Sequence, residues 1–326
     1  VQIVHDIDQL NFLILMKYSF IMLDYAALAA LAAVIREGSF ERAATSLGVT
    51  PSAVSQRVRL LEERLGTILV IRQQPCIATP TGERLCAHVE RVRLLEADVV
   101  EDLPAPRTST PTTVRVAVNA DSLNTWFPKA AADFAESSGA LLDIVLDDEE
   151  HTAERLRSGD VLAAITTNPT PVQGCRTLPL GTCIYAATAS PAFMRRHFTY
   201  GVDAAALARA PVLRFDRRDM LQARWACDAV GVAHLAAPTH WVPATQGFLD
   251  TVLAGLGWGM QPLALIGTHL EDGQLVELKQ GYRLAVALHW QYARLEARLL
   301  SGLTEAVRRA QRSPFHCIND STPAEE

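Results

Sequence analysis

From Asp24 to Gly66 apolar residues recur at three- and four-residue steps, in blocks separated by turn chemistry. Tyr25, Leu28, Leu31 and Ile35 predict a first helix. Phe40, Ala43, Ala44 and Leu47 predict a second, capped by Ser39 and left through the permissive backbone of Gly48. Thr50 then caps a third, and Pro51 occupies its first position, where a missing N–H costs nothing. Val54, Val58, Leu61 and Leu65 give that third helix an apolar stripe, so Ser52, Ser55, Gln56 and Arg59 fall on its other faces. A β-prone run, Ile68 to Ile71, follows and ends at Arg72. Three helices and a wing predict an all-α winged helix-turn-helix DNA-binding domain over residues 22–82. Its base contacts are expected from Thr50, Pro51, Ser52, Ser55, Gln56 and Arg59, with Arg72 touching phosphate or the minor groove.

After Gly82 comes a long stretch without Gly or Pro, residues 83–103, in which Leu85, Val89, Val92, Leu95 and Val99 repeat at helical spacing. That stripe predicts a linker helix with a dimer seam, the alternative being one helix buried in its own core. Residues 104–113, rich in Pro and Thr, form a hinge. Beyond it strands alternate with helices. Val114 to Val118, a helix from Ser122 to Glu136, Leu141 to Leu146, a helix from Thr152 to Ser158 and Val161 to Thr166 give the rhythm of a parallel α/β sheet. A further set runs from Cys183 to Thr188 through helices near Pro191 to His197, Met220 to Val230 and Gly247 to Ala254. Strands at Leu275 to Leu278 and Leu284 to Trp290 then return to the first set, and a helix from Leu295 to Ala310 closes residues 114–312. Residues 313–326 read as a flexible tail.

Composition narrows the function classes. The chain has 326 residues, 49% of them hydrophobic, enough for more than one domain with its own core. No apolar run approaches the roughly 18 residues that span a bilayer, so no membrane partner is expected. The net charge of −6 argues against DNA binding only until its distribution is considered. Between Asp24 and Gly82, Arg36, Arg42, Arg57, Arg59, Arg64 and Arg72 slightly outnumber the acids, and Arg57, Arg59 and Arg72 cluster at the reading helix and wing. Affinity per subunit is then modest, and two reading helices set about one DNA turn apart are needed. Cys76, Cys86, Cys175, Cys183, Cys227 and Cys317 are scattered without metal-ligand spacing, which implies a reduced cytoplasmic protein without a metal. Cys76 beside the wing is the candidate redox sensor, against the plainer reading of a small buried hydrophobe. Catalysis finds little support. Asp147, Asp148, His151 and Glu154 are the best cluster, yet there is no phosphate loop or nucleophile elbow, and Gly255-Leu-Gly-Trp-Gly is not spaced as a dinucleotide fingerprint. Residues 1–21 carry no basic leader, and Met22 stands just ahead of the first pattern. That leaves an upstream extension and a real N-terminal arm as the two readings.

Ala43-Ala44, Leu47, Ser52-Ala53-Val54-Ser55, Leu61-Glu62, Leu65-Gly66, Arg72 and Thr79-x-x-Gly82 resemble the N-terminal signature of the LysR-type transcriptional regulators. Val116 to Trp126 and Gly255 to Pro262 resemble the effector domain of one branch, the lysine- and arginine-responsive ArgP/LysG type. Pro51 and Pro75 depart from the wider family, which often has Gln and Arg there. The resemblance implies two α/β lobes hinged around a small-ligand cleft, like a periplasmic binding protein. It further implies a homodimer or homotetramer, RNA polymerase as a partner, an amino-acid exporter gene as target, no cofactor, and lysine or arginine as effector. A ligand-independent architectural protein of curved or A/T-rich DNA is the rival reading.

In such sheets a ligand sits beyond the carboxyl ends of the strands. Asn119, Asp121 and Ser122 lie between the first strand and its helix, Thr166 follows the third strand, and Thr245 and Gln246 open a second-lobe helix. Ser122 is expected to hold an effector carboxylate. Asp121, Asp147, Asp148, Glu149 and Asp216 are the acids available for a basic side chain, with Asp147 the choice after Ser122 and Thr166.

Overall fold

The computed structural model describes residues 23–102, 111–146 and 149–311. The extension 1–21 with Met22, most of the hinge, Asp147, Asp148, Cys317 and the tail from 313 lie outside the described residues. The chain divides into two compact units near Val99–Val100.

In the first unit, α1 (Tyr25–Glu37), α2 (Phe40–Leu47) and α3 (Pro51–Leu65) pack on one another, and β1 (Val70–Ile71) pairs antiparallel with β2 (Ile77–Ala78) as the wing. The capping chemistry stands where the spacing places it. Ser39 Oγ accepts from Arg42 N at 3.1 Å and Thr50 Oγ1 from Ala53 N at 3.2 Å, while Gly48 takes the left-handed conformation with φ of 65°. Leu28, Leu31, Val34, Ala43, Ala44, Val54, Val58 and Leu61 form the core. Two positions of the predicted stripes lie outside it: Tyr25 and Leu65 are exposed. Glu62 carries out a task that periodicity does not announce. Its Oε1 accepts from Leu69 N at 2.8 Å and Val70 N at 3.3 Å, tying α3 to the wing.

Helix α4 (Pro80–Glu101) begins at Pro80 rather than at Glu83. The predicted seam divides along it. Val89 is buried in the three-helix core, with Leu85 half-buried against that core, so these two are committed to their own chain. Val92 is half-buried, whereas Leu95 and Val99 are 41% and 61% exposed and free of such a commitment. The stripe follows helical period throughout, but the winged unit covers only its first turns.

The second unit begins with β3 (Thr113–Val118), followed by α5 (Ala120–Asn124), α6 (Phe127–Ser138), β4 (Leu141–Leu146), α7 (Glu149–Ser158) and β5 (Ala163–Thr166). β4, β3 and β5 are parallel neighbours. The single helix predicted from Ser122 to Glu136 is broken at Thr125–Trp126, since Pro128 has no N–H to continue the ladder and, in an unbroken helix, its ring would clash with the Asn124 carbonyl. Two long strands, β6 (Cys175–Ala189) and β11 (Arg283–Ala293), run antiparallel along each other. At the Cys175↔Ala293 end β11 also pairs with β5. At the other end β6 also pairs with β9 (Gly259–Pro262) and β10 (Val276–Glu277). The pair therefore crosses from one lobe to the other. The second lobe adds α8 (Pro191–His197), α9 (Ala204–Arg209), β7 (Val212–Arg214), α10 (Leu221–Val230), β8 (Thr239–Trp241), α11 (Thr245–Leu253) and α12 (Leu263–Glu271), around a core of Tyr185, Phe193, Trp225 and Trp258. In the first lobe α13 (Arg298–Gln311) packs on α6, and Trp290 Nε1 donates to Thr304 Oγ1 at 3.1 Å.

Strand β9 is the clearest departure from the sequence reading, which has only a Gly-rich turn there. Gly257 and Gly259 are required by close approach: a Cβ would stand 2.2 Å from Leu213 at the first and 2.5 Å from the Phe248 ring at the second.

Candidate functional site

In the first unit, Ser52, Gln56 and Arg59 are exposed and Ser55 half-buried on α3, with Pro51 at its start. They occupy the surface left over once Val54, Val58 and Leu61 are buried. Thr50 is committed locally, since its hydroxyl caps α3 and lies 3.0 Å from Ser52 Oγ. Arg59 Nε lies 3.5 Å from Glu63, an exposed pair that DNA phosphates can replace at little cost. Arg72 lies over the Phe40 ring at 5.1 Å, which fixes the base of the wing relative to α2. The arrangement offers hydroxyl, amide and guanidinium groups on one protruding helix, the groups that read base edges in a major groove.

The second unit brings another set together. Asp121, on α5 of the first lobe, accepts through Oδ2 from the Tyr185 hydroxyl of the second lobe at 2.6 Å. Burial pushes the Asp121 carboxyl above the usual range for an aspartate, the Tyr185 hydrogen bond pulls it back, the Asp219 charge pushes it up, and Thr245 beside it pulls it down. Burial, followed by the Asp121 charge, pushes the Tyr185 phenol well above its ordinary value. Ser122 is 2% exposed and Thr245 8% exposed. Neither hydroxyl completes a hydrogen bond among the described residues. Helix α11, which Thr245 opens, packs against α5 and has Ala244 at its N-cap, with no side chain satisfying its first amides.

Other predicted residues are spent elsewhere. Asn119 Oδ1 accepts from Ser122 N at 3.0 Å as the cap of α5. The Gln246 side chain is exposed and donates to Asp250 at 2.9 Å. Asp216 caps its own loop, accepting from Arg218 N and Asp219 N. Thr166, buried at the end of β5, accepts from Asn168 N at 3.1 Å. Asp147 and Asp148 lie outside the described residues. Sequence reasoning missed Tyr185 and Asp219. Tyr185 sits inside a strand and looks like core, and Asp219 is one acid of a loop that also holds Asp216.

The Cys86 thiol is pushed up to about 12 by burial and then by Glu90, the opposite of an activated thiolate. Among the described residues no helix is long and apolar enough to cross a membrane, and no group of His, Cys, Asp and Glu is placed to hold a metal ion.

Residues 25–83 match the family described as bacterial regulatory helix-turn-helix protein, lysR family, and residues 107–312 match the LysR substrate binding domain. The chain belongs to the LysR family. Within it, the chain is 43% identical over 289 residues to the HTH-type transcriptional regulator ArgP of Pseudomonas aeruginosa, covering 87% of this chain and 95% of that one. The crystal structure of ArgP from Mycobacterium tuberculosis is 41% identical, with a TM-score of 0.78 and coverage of 90% and 98%. Full-length LysG from Corynebacterium glutamicum, with bound effector Arg, is 37% identical, with a TM-score of 0.67 and coverage of 89% and 98%. The LysR-type chain is thus a DNA-binding transcriptional regulator of the ArgP/LysG kind with an effector-binding domain, in a family that is not enzymatic.

Proposed function

We propose that this LysR-type protein is a cytoplasmic sensor of a basic amino acid, lysine or arginine, and controls a gene for amino-acid export, acting as a homodimer or homotetramer that alters RNA polymerase recruitment. The observation that carries the effector reading is the buried Asp121 carboxylate beside two unsatisfied hydroxyls, Ser122 and Thr245, contributed from both lobes. Asp121, with the Asp219 charge behind it, suits an ammonium or guanidinium. The two hydroxyls and the uncapped amides of α11 suit a carboxylate. The kinship with ArgP and with LysG, whose solved structure carries Arg, supports the same ligand class.

Mechanism follows from linkage. An effector that bridges the lobes favours one closure by its differential affinity, typically about 1–3 kcal/mol of coupling, and thereby changes the spacing or angle of the paired reading helices on DNA. In a mobility-shift assay on the gene's own upstream intergenic DNA, lysine or arginine alters a specific shift while an uncharged amino acid does not. A specific shift indifferent to both basic amino acids overturns the effector assignment and restores the architectural reading.

A further inference from the structure

The crossing strands hold a polar group that the site so far leaves unused. In the β11–β5 ladder His289 stands directly opposite Thr166, at the carboxyl end of β5. Strand β5 lies parallel beside β3, and the carboxyl end of β3 leads into the turn that carries Asn119, Asp121 and Ser122, as that of β5 carries Thr166. His289 therefore lies on the strand next to β5, one strand further from the turn proposed to face the effector. It also marks the place where the β6–β11 ladder slips: Leu288 faces Gly181, His289 faces Pro179, and Leu180 has no opposite number. Pro179 has no N–H to offer, so the ladder is weakest where the strands pass between lobes.

The His289 Nδ1 atom is buried and has no hydrogen-bond partner among the described residues. A buried polar atom left unpaired is destabilising, and a ligand that reaches it can relieve that cost. The covering helix on the other face does not compete for it, because Trp290, the next residue, is the one turned to Thr304 of α13. We propose that His289 is a further effector-contacting residue, whose Nδ1 accepts an N–H of the basic amino acid from the hinge wall of the cleft. The inference rests on the effector reading above and adds a contact at the hinge, where a ligand bond acts directly on lobe closure.

The test uses the full chain, titrated calorimetrically with arginine and with lysine, in two variants. His289→Phe keeps a ring and removes the nitrogen, whereas His289→Asn puts a polar atom where Nδ1 stands. His289→Phe is expected to weaken binding about tenfold or more, the loss of one hydrogen bond to a charged donor. His289→Asn is expected to stay within about threefold of the parent, because the same acceptor position is filled. The melting temperature of ligand-free His289→Phe is expected not to fall, because the substitution removes an unpaired polar atom. Unchanged affinity in His289→Phe, equal loss in both variants, or a lowered ligand-free melting temperature overturns the contact while leaving the effector reading intact. A parent protein that binds neither amino acid overturns both.

Discussion

Asp121 shows how one side chain would set the chemistry of the proposed effector site. Its carboxyl is raised by burial and by Asp219, so the folded chain holds the proton more tightly than the unfolded chain does. The sign for stability is that of a raised group: its favourable contribution is present below the unfolded value and is lost as pH rises through the raised one. Asp121→Asn is therefore expected to raise the ligand-free melting temperature at neutral pH, which a thermal scan checks. Effector binding goes the other way. A basic amino acid needs the charged carboxylate, so affinity in the parent falls as pH drops into the raised titration range of Asp121, and Asp121→Asn flattens that dependence. The same variant is expected to lose roughly 1.5–3 kcal/mol of arginine binding at neutral pH by calorimetry, the range for a hydrogen bond to a charged group. The sequence supplied Asp121 as a candidate because it follows a strand in an α/β pattern. It did not supply Tyr185, because the phenol reaches Asp121 across the lobes, a contact 64 positions away along the chain.

At the scale of elements, the helices with strong caps and clean periodicity were legible and the pieces held by tertiary contact were not. Ser39, Gly48, Thr50 and Pro51 mark their helix ends through local hydrogen bonds, so α2 and α3 follow from the residues themselves. β9 has poor strand formers, Gly259 and Pro262, and exists because β6 offers it an edge and Phe248 leaves no room for a side chain. The first half of β6, with Pro179 and Gly181, is concealed in the same way. For the reading helix, Gln56→Ala is expected to weaken cognate DNA binding by roughly 1–3 kcal/mol more than binding to random duplex, measured by competition mobility shift. An equal loss on both DNAs makes Gln56 a backbone contact. Glu62 tests the element from inside. Glu62→Ala removes the acceptor for Leu69 N and Val70 N, and is expected to cost roughly 1.5–3 kcal/mol of stability in the winged unit by denaturant unfolding.

For the whole molecule, the proposed role of the linker helix is to set how two reading helices reach one operator. A single winged unit with nearly balanced charge binds weakly, so the pairing of two chains converts a modest contact into a specific one. The stripe read as a seam has two parts with opposite predictions. Val89 is buried in the winged core and Leu85 packs beside it, whereas Leu95 and Val99 are exposed apolar residues one turn apart on α4, with Val100 exposed as well. An apolar helix face of this kind, left uncovered by the described residues, is the part proposed to meet a partner helix. Leu95→Glu together with Val99→Glu is expected to shift the protein toward monomer in analytical ultracentrifugation and to weaken operator binding, with the melting temperature of the winged unit unchanged. Val89→Ala is expected to do the reverse, lowering that melting temperature by opening a cavity while leaving the assembly state as it was. If the double glutamate variant remains fully dimeric, the dimer contact lies elsewhere than on this face. The reading helices are then set by the effector domains alone, and an effector that changes lobe closure must act on DNA through that interface.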